Sequence, residues 1–156
     1  MKIELSPIGY VKNNRFSMED DFWGEVLSEI VLAENISTNA LEGIENFSHL
    51  EVIFYMDKVE DSKAVAQCRH PRNDLKLPKV GTFAQRNKNR PNKLGLTTAV
   101  LLARNHRTLL VKNLDAINGT PVLDIKPVMK EFQVQGEIKQ PLWTQTVMKN
   151  YWESKK

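Results

Sequence analysis

Phe47–Val59, FSHLEVIFYMDKV, restricts the fold more than any other run in the chain. It is dense in β-branched and aromatic residues, which pack well on a pleated, half-buried surface. It reads as a central strand, with Tyr55-Met56-Asp57 at the end where apolar character gives way to charge. Similar short runs recur. Ile3–Asn13 reads as a strand with Pro7 at an edge or bulge position. Val26–Ala33 alternates like a strand. Val80–Gln85 and Leu94–Arg104 read as strands flanking a loop. Thr108–Leu114 and Pro121–Lys126 read as a pair joined across Asn118-Gly119, a strong hairpin signal.

Helix signals are few. Ser37-Thr38-Asn39 offers an N-cap ahead of Ala40–Glu45. Gln140–Trp152 places Leu142, Trp143, Thr146, Val147 and Tyr151 near helical spacing, with Pro141 in the first turn. That segment is expected to dock on the barrel or on a partner chain. Lys58–Lys79 reads as the longest irregular segment, broken by Pro71 and Pro78. The expected fold is all-β: a small closed β-barrel of about six or seven mostly antiparallel strands with short helices, one of them C-terminal. At 156 residues, one domain over 1–156 is expected.

Charge is distributed unevenly. Between Leu75 and Leu114 there is no Asp or Glu, yet the interval holds nine Lys and Arg residues. Its centre, VGTFAQRNKNRPNKLG (Val80–Gly95), carries Arg86, Lys88, Arg90 and Lys93 interleaved with Asn87, Asn89 and Asn92. Met18–Asp61, by contrast, has twelve acids and one base, Lys58. Such asymmetry suits an anionic partner, RNA or a phosphate-bearing ligand among them. Alternatively, the two segments are neighbours in the fold and neutralise each other. Phe22-Trp23-Gly24 can floor a ligand site or plug the core.

Other chemistry is missing. The glycines are too dispersed for a G-x-G-x-x-G fingerprint or a P-loop. No G-x-S-x-G elbow, H-E-x-x-H or EF-hand loop occurs. Cys68-Arg69-His70 begins a metal-like spacing, but no further ligand motif accompanies it, so no metal is expected. His49 reads as a hydrogen-bonded core histidine. The longest apolar run, Ala99–Ala103, is five residues, so no membrane span is expected. The single cysteine and the absence of an apolar leader point to a reducing cytoplasm.

Three stretches carry more than charge: GIENFSHLEVIF (Gly43–Phe54), VGTFAQRNKNRPNKLGL (Val80–Leu96) and LDAINGTPVLDIKP (Leu114–Pro127). In order and spacing they resemble the TrmO/TsaA-like (YaeB/VirR-like) family of S-adenosylmethionine-dependent β-barrel methyltransferases. The resemblance implies methylation of N6 of threonylcarbamoyl-adenosine next to the anticodon of threonine tRNA, with S-adenosyl-L-methionine as donor and a homodimer as the assembly. It implies a donor pocket of Met56, Asp57, Arg86, Leu96, Leu114, Asp115, Ala116 and Ile117. Lys88, Arg90, Asn92 and Lys93 on the basic loop are the candidates for substrate or RNA contact. Asp115 and Asp124 are candidates for a catalytic base, with Lys126 holding a carboxylate or phosphate; Asp124 and Lys126 can equally be a strand-end ion pair. This chain departs from the family at Asn92-Lys93-Leu94-Gly95, where many relatives have Asn-Pro-Ile-Gly, and at Asp57, where many carry His.

Overall fold

Strict alternation closes the sheet. In β3 (His49–Tyr55), Leu50, Val52 and Phe54 are buried while the residues between them are partly exposed. β7 (Thr108–Lys112) does the same with Leu109 and Val111. The other long strands are β1 (Gly9–Lys12), β2 (Leu27–Leu32), β6 (Leu94–Asn105) and β8 (Pro121–Pro127). In this computed structural model, which describes residues 1–155, these six strands close into an antiparallel barrel in the order β1–β2–β7–β6–β3–β8. Its interior is filled by Val11, Ile30, Leu50, Val52, Leu109, Val111, Leu114 and Val122. Each of these side chains contributes about 1.5–3 kcal/mol on burial.

Two further strands, β4 (Cys68–Arg69) and β5 (Val80–Gly81), pair with each other outside the barrel. Val80–Gln85 is therefore not a barrel strand. The Thr82 hydroxyl donates to the carbonyls of Val65 and Gln67, and the chain turns at Thr82–Ala84 in a short 3-10 helix. The basic loop thus hangs between a barrel strand on one side and a small outlying sheet on the other.

The hairpin across Asn118-Gly119 is also corrected. β7 lies between β2 and β6, and β8 lies between β3 and β1. The turn's amides are occupied elsewhere: Asn118 N–H donates to the Arg15 carbonyl and Gly119 N–H to that of Val11, both at 2.7 Å. The tight hairpin is at His106-Arg107, where Asn105 faces Thr108 and His106 adopts φ 52.

Other boundaries shift less. The first strand begins only at Gly9, and the chain before it has no regular element. The expected cap holds: the Ser37 hydroxyl accepts from Asn39 N–H at the start of a 3-10 turn, Thr38–Leu41. His49 is half-buried rather than a core residue, with Nδ1 2.8 Å from the Ser48 hydroxyl. α1 (Trp143–Met148) is six residues, shorter than Gln140–Trp152 suggested. The chain after it folds back on the barrel mouth, where Phe22 and Trp23 N–H groups donate to the carbonyls of Asn150 and Tyr151. No helix among the described residues is long and apolar enough to cross a membrane.

Candidate active site at the barrel mouth

One end of the barrel opens into a cavity of about 990 Å³. Its floor is built by strand register. Phe54 and Gly95 are opposite each other on β3 and β6, and a Cβ on Gly95 would lie 2.2 Å from the Phe54 ring. Only glycine lets that ring lie flat against the neighbouring strand. Two residues along, Thr97 pairs with Val52, faces inward and is buried.

Asp115 sits on the connection between β7 and β8. The Asn13 side chain fixes this connection: its amide donates to the Ala116 carbonyl at 2.9 Å and to the Ser28 hydroxyl at 2.8 Å, and its backbone N–H donates to the Asn118 side-chain oxygen at 3.0 Å. One Asp115 carboxylate oxygen accepts from the Thr97 hydroxyl and the other from the Tyr151 hydroxyl. Burial pushes the Tyr151 phenol well above its ordinary range, and the negative charge of Asp115 adds to it; nearby Arg86 opposes the rise. Tyr151 is therefore a fixed donor.

The opposite wall comes from the acidic loop before Trp23. Arg15 donates to the carbonyls of Asp21 at 2.6 Å and Phe22 at 3.3 Å, and its guanidinium lies 4.4 Å from the centre of the Trp23 ring. From the 3-10 turn Pro71–Asn73, Arg72 forks onto the Asp21 carboxylate at 2.6 and 2.8 Å. That bond is the main reason the Arg72 pKa rises. A Cβ on Gly24 would meet the Trp152 carbonyl oxygen at 1.8 Å, so the tail packs directly on this glycine.

The positions singled out from sequence separate cleanly. Met56, Asp57, Arg86, Lys88, Arg90, Asn92, Leu96, Asp115, Ala116 and Ile117 all line the cavity. Arg86 donates to the Leu96 carbonyl and Arg90 to that of Gln85, so neither guanidinium is held by a carboxylate. Leu114 is fully buried in the core beneath them. Lys93 is buried and bonded to Asp61, which raises its pKa. It braces the loop and is not a free cation. Asp124 and Lys126 lie outside the cavity. They face Ile53 and Glu51, the residues of β3 that alternate with inward Leu50, Val52 and Phe54, and they pair with each other on the outer wall. The two side chains form an ion pair in the structure.

Charge neutralisation between the two halves is partial. Arg104 meets Glu42 and Glu45, and Lys88 meets Asp20 at 3.4 Å. Thr97, Trp23, His70 and Tyr151 were not anticipated as a set. Thr97 had a signal, being a polar residue at the inward phase of a strand. Tyr151 had none, because its contact with Asp115 depends on how the tail folds back. No group of three His, Cys, Asp or Glu side chains suited to a metal lies together among the described residues.

Residues 10–134 match the family described as tRNA-methyltransferase O N-terminal domain. The chain belongs to this family. The human tRNA (adenine(37)-N6)-methyltransferase is 36% identical over 108 residues, which is 69% of this chain and 24% of the human protein. An S-adenosyl-L-methionine-binding protein of Archaeoglobus fulgidus is 31% identical over 139 residues, 86% of this chain and 95% of that one. The chain spans about a quarter of the length of the first curated relatives it matches. The crystal structure of TrmO from Pseudomonas aeruginosa superposes with a TM-score of 0.73 at 24% identity, covering 92% of this chain and 62% of that one; the likeness is one of fold. Within the TrmO N-terminal domain frame, Arg86 and Asp115 fall inside the matched stretch, whereas Trp143 and Tyr151 fall beyond it.

Proposed function

We propose that this chain transfers a methyl group from S-adenosyl-L-methionine to N6 of an adenosine in tRNA. The acceptor in this reading is threonylcarbamoyl-adenosine beside the anticodon of threonine tRNA, and the compartment is the cytoplasm. The observation that carries the reading is the meeting of Arg86 and Asp115 in one cavity with Leu96, Ala116 and Ile117. The names of the human and archaeal relatives support it.

The donor set suits the methyl donor. Arg86 offers a planar fork to a carboxylate. Asp115 and Asp57 place negative charge where an ammonium or sulfonium requires it. Leu96, Ala116 and Ile117 supply apolar surface for a purine ring. When bound, the sulfonium supplies an electrophilic methyl group. The protein's part is alignment in a site whose groups are held before the acceptor arrives. Thr97 and Tyr151 fix the Asp115 carboxylate, and the Leu96 carbonyl fixes Arg86.

Lys88, Arg90 and Asn92 on the cavity rim suit tRNA phosphates, and such binding weakens steeply with salt. A homodimer is part of the same reading. It is supported by exposed Phe132, Val134, Ile138 and Leu142 ahead of the tail, and light scattering tests it. The function is tested by incubating the protein with methyl-labelled donor and tRNA carrying threonylcarbamoyl-adenosine. Label in the adenosine supports the reading. Label in a different nucleoside redirects the acceptor, and donor binding without transfer to any RNA leaves a binding barrel.

A further inference from the structure

We infer that His70 accepts the proton released when the acceptor nitrogen is methylated; this rests on the methyltransferase reading above. Asp124 is on the outer wall, away from the cavity. Each oxygen of Asp115 already accepts one hydroxyl hydrogen bond, from Thr97 or from Tyr151, so the carboxylate is committed to positioning contacts.

His70 has the opposite arrangement. It is the one histidine among the cavity-lining residues. Its Nδ1 lies 2.7 Å from the Leu77 carbonyl oxygen. A carbonyl only accepts, so Nδ1 carries the hydrogen and Nε2 of the neutral ring holds a lone pair. Nε2 has no protein partner among the described residues and is not a buried atom. An imidazole with one nitrogen anchored as donor and the other open is the arrangement a general base requires.

The ring is also held firmly. His70 is extended, at φ −73 and ψ 133, as the residue before a proline should be. Pro71 behind it is buried, and Asn73 N–H returns to the His70 carbonyl at 3.0 Å. Arg72 then ties this turn to Asp21, on the loop whose Phe22 and Trp23 amides bind the tail carrying Tyr151. His70 and Asp115 are thus fixed through one connected set of contacts. Arg69 and Arg72 flank His70 in sequence, and Arg72 is paired with Asp21.

The step balances. The acceptor nitrogen forms a bond to the methyl carbon as the carbon–sulfur bond breaks, and that electron pair leaves on sulfur as a neutral thioether. The nitrogen's hydrogen passes to Nε2, and the imidazolium returns it to solvent.

His70→Asn is the discriminating variant, because its amide N–H can still donate to Leu77 while the base is gone. Transfer from methyl-labelled donor to total tRNA should fall about 10²–10⁴-fold, with donor binding by calorimetry and the melting temperature retained. In His70→Ala, added imidazole should restore part of the rate. A His70→Asn rate within about threefold of native, or no gain from added imidazole in His70→Ala, overturns the assignment. A native protein that neither binds the donor nor methylates RNA overturns instead the reading on which it rests.

Discussion

In the barrel wall, Leu50, Val52 and Val111 are buried with no side-chain polar atom to satisfy. In the cover over its mouth, Arg15, Asp21, Arg72 and Tyr151 are held almost entirely by hydrogen bonds. The wall is secured by area removed from water, which is insensitive to direction. The cover is secured by directional contacts whose net worth is about 0.5–1.5 kcal/mol each. Chemistry belongs in the second kind of region, because only directional contacts fix a carboxylate or an imidazole in a chosen orientation.

Leu50→Ala empties a fully buried site between β6 and β8 and should cost about 2–5 kcal/mol in chemical denaturation. A loss below about 1 kcal/mol would mean that the wall does not carry the stability.

Gly24→Ala acts next, at the seam. Its Cβ would collide with the Trp152 carbonyl, so the tail must move, at a cost of about 1–3 kcal/mol. Proteolysis should then remove the tail readily while the barrel's circular dichroism persists. A protected tail would show that the seam is not the tail's anchor.

Tyr151→Phe is milder, leaving one Asp115 oxygen without its donor for about 1 kcal/mol. It also sharpens the pH behaviour. The folded phenol titrates above the unfolded one, so its contribution is fully present below about pH 10 and is lost as pH climbs through the range above. Native protein should lose stability across that alkaline range, and Tyr151→Phe should lose less.

Smallest of all is Arg72→Ala. The pair with Asp21 is partly exposed, so melting should shift by about 0.2–1 kcal/mol. A larger loss would mean that the cover is more cooperative than its separate contacts suggest.

The wall was readable in the sequence because alternation is local: Leu50, Val52 and Phe54 declare an inward face without reference to any other strand. Pairing was not local. The Asn118-Gly119 signal is a real turn, but its amides are claimed by Val11 and Arg15, about a hundred residues earlier. At the site, Arg86, Leu96 and Asp115–Ile117 came from the resemblance and meet in one cavity. Asp124 and Lys126 came from the same stretch but fall on the outer phase of β8, a distinction that depends on register with β3. Lys93 looked like one more cation of the loop; only Asp61, from a distant turn, marks it as a brace. Tyr151 was hidden for the same reason, since its partner Asp115 is 36 residues away in sequence; His70 bonds only to nearby Leu77, and the cavity that it lines is what marks it out.

Calorimetric titration with S-adenosyl-L-methionine tests whether the cavity at the barrel mouth holds the methyl donor. The native protein should bind at one site per chain, Arg86→Ala and Asp115→Asn should lose that binding while remaining folded, and Asp124→Asn on the outer wall should bind as the native protein does. Undiminished binding in Arg86→Ala and Asp115→Asn, or no binding by well-folded native protein at millimolar donor, would contradict it.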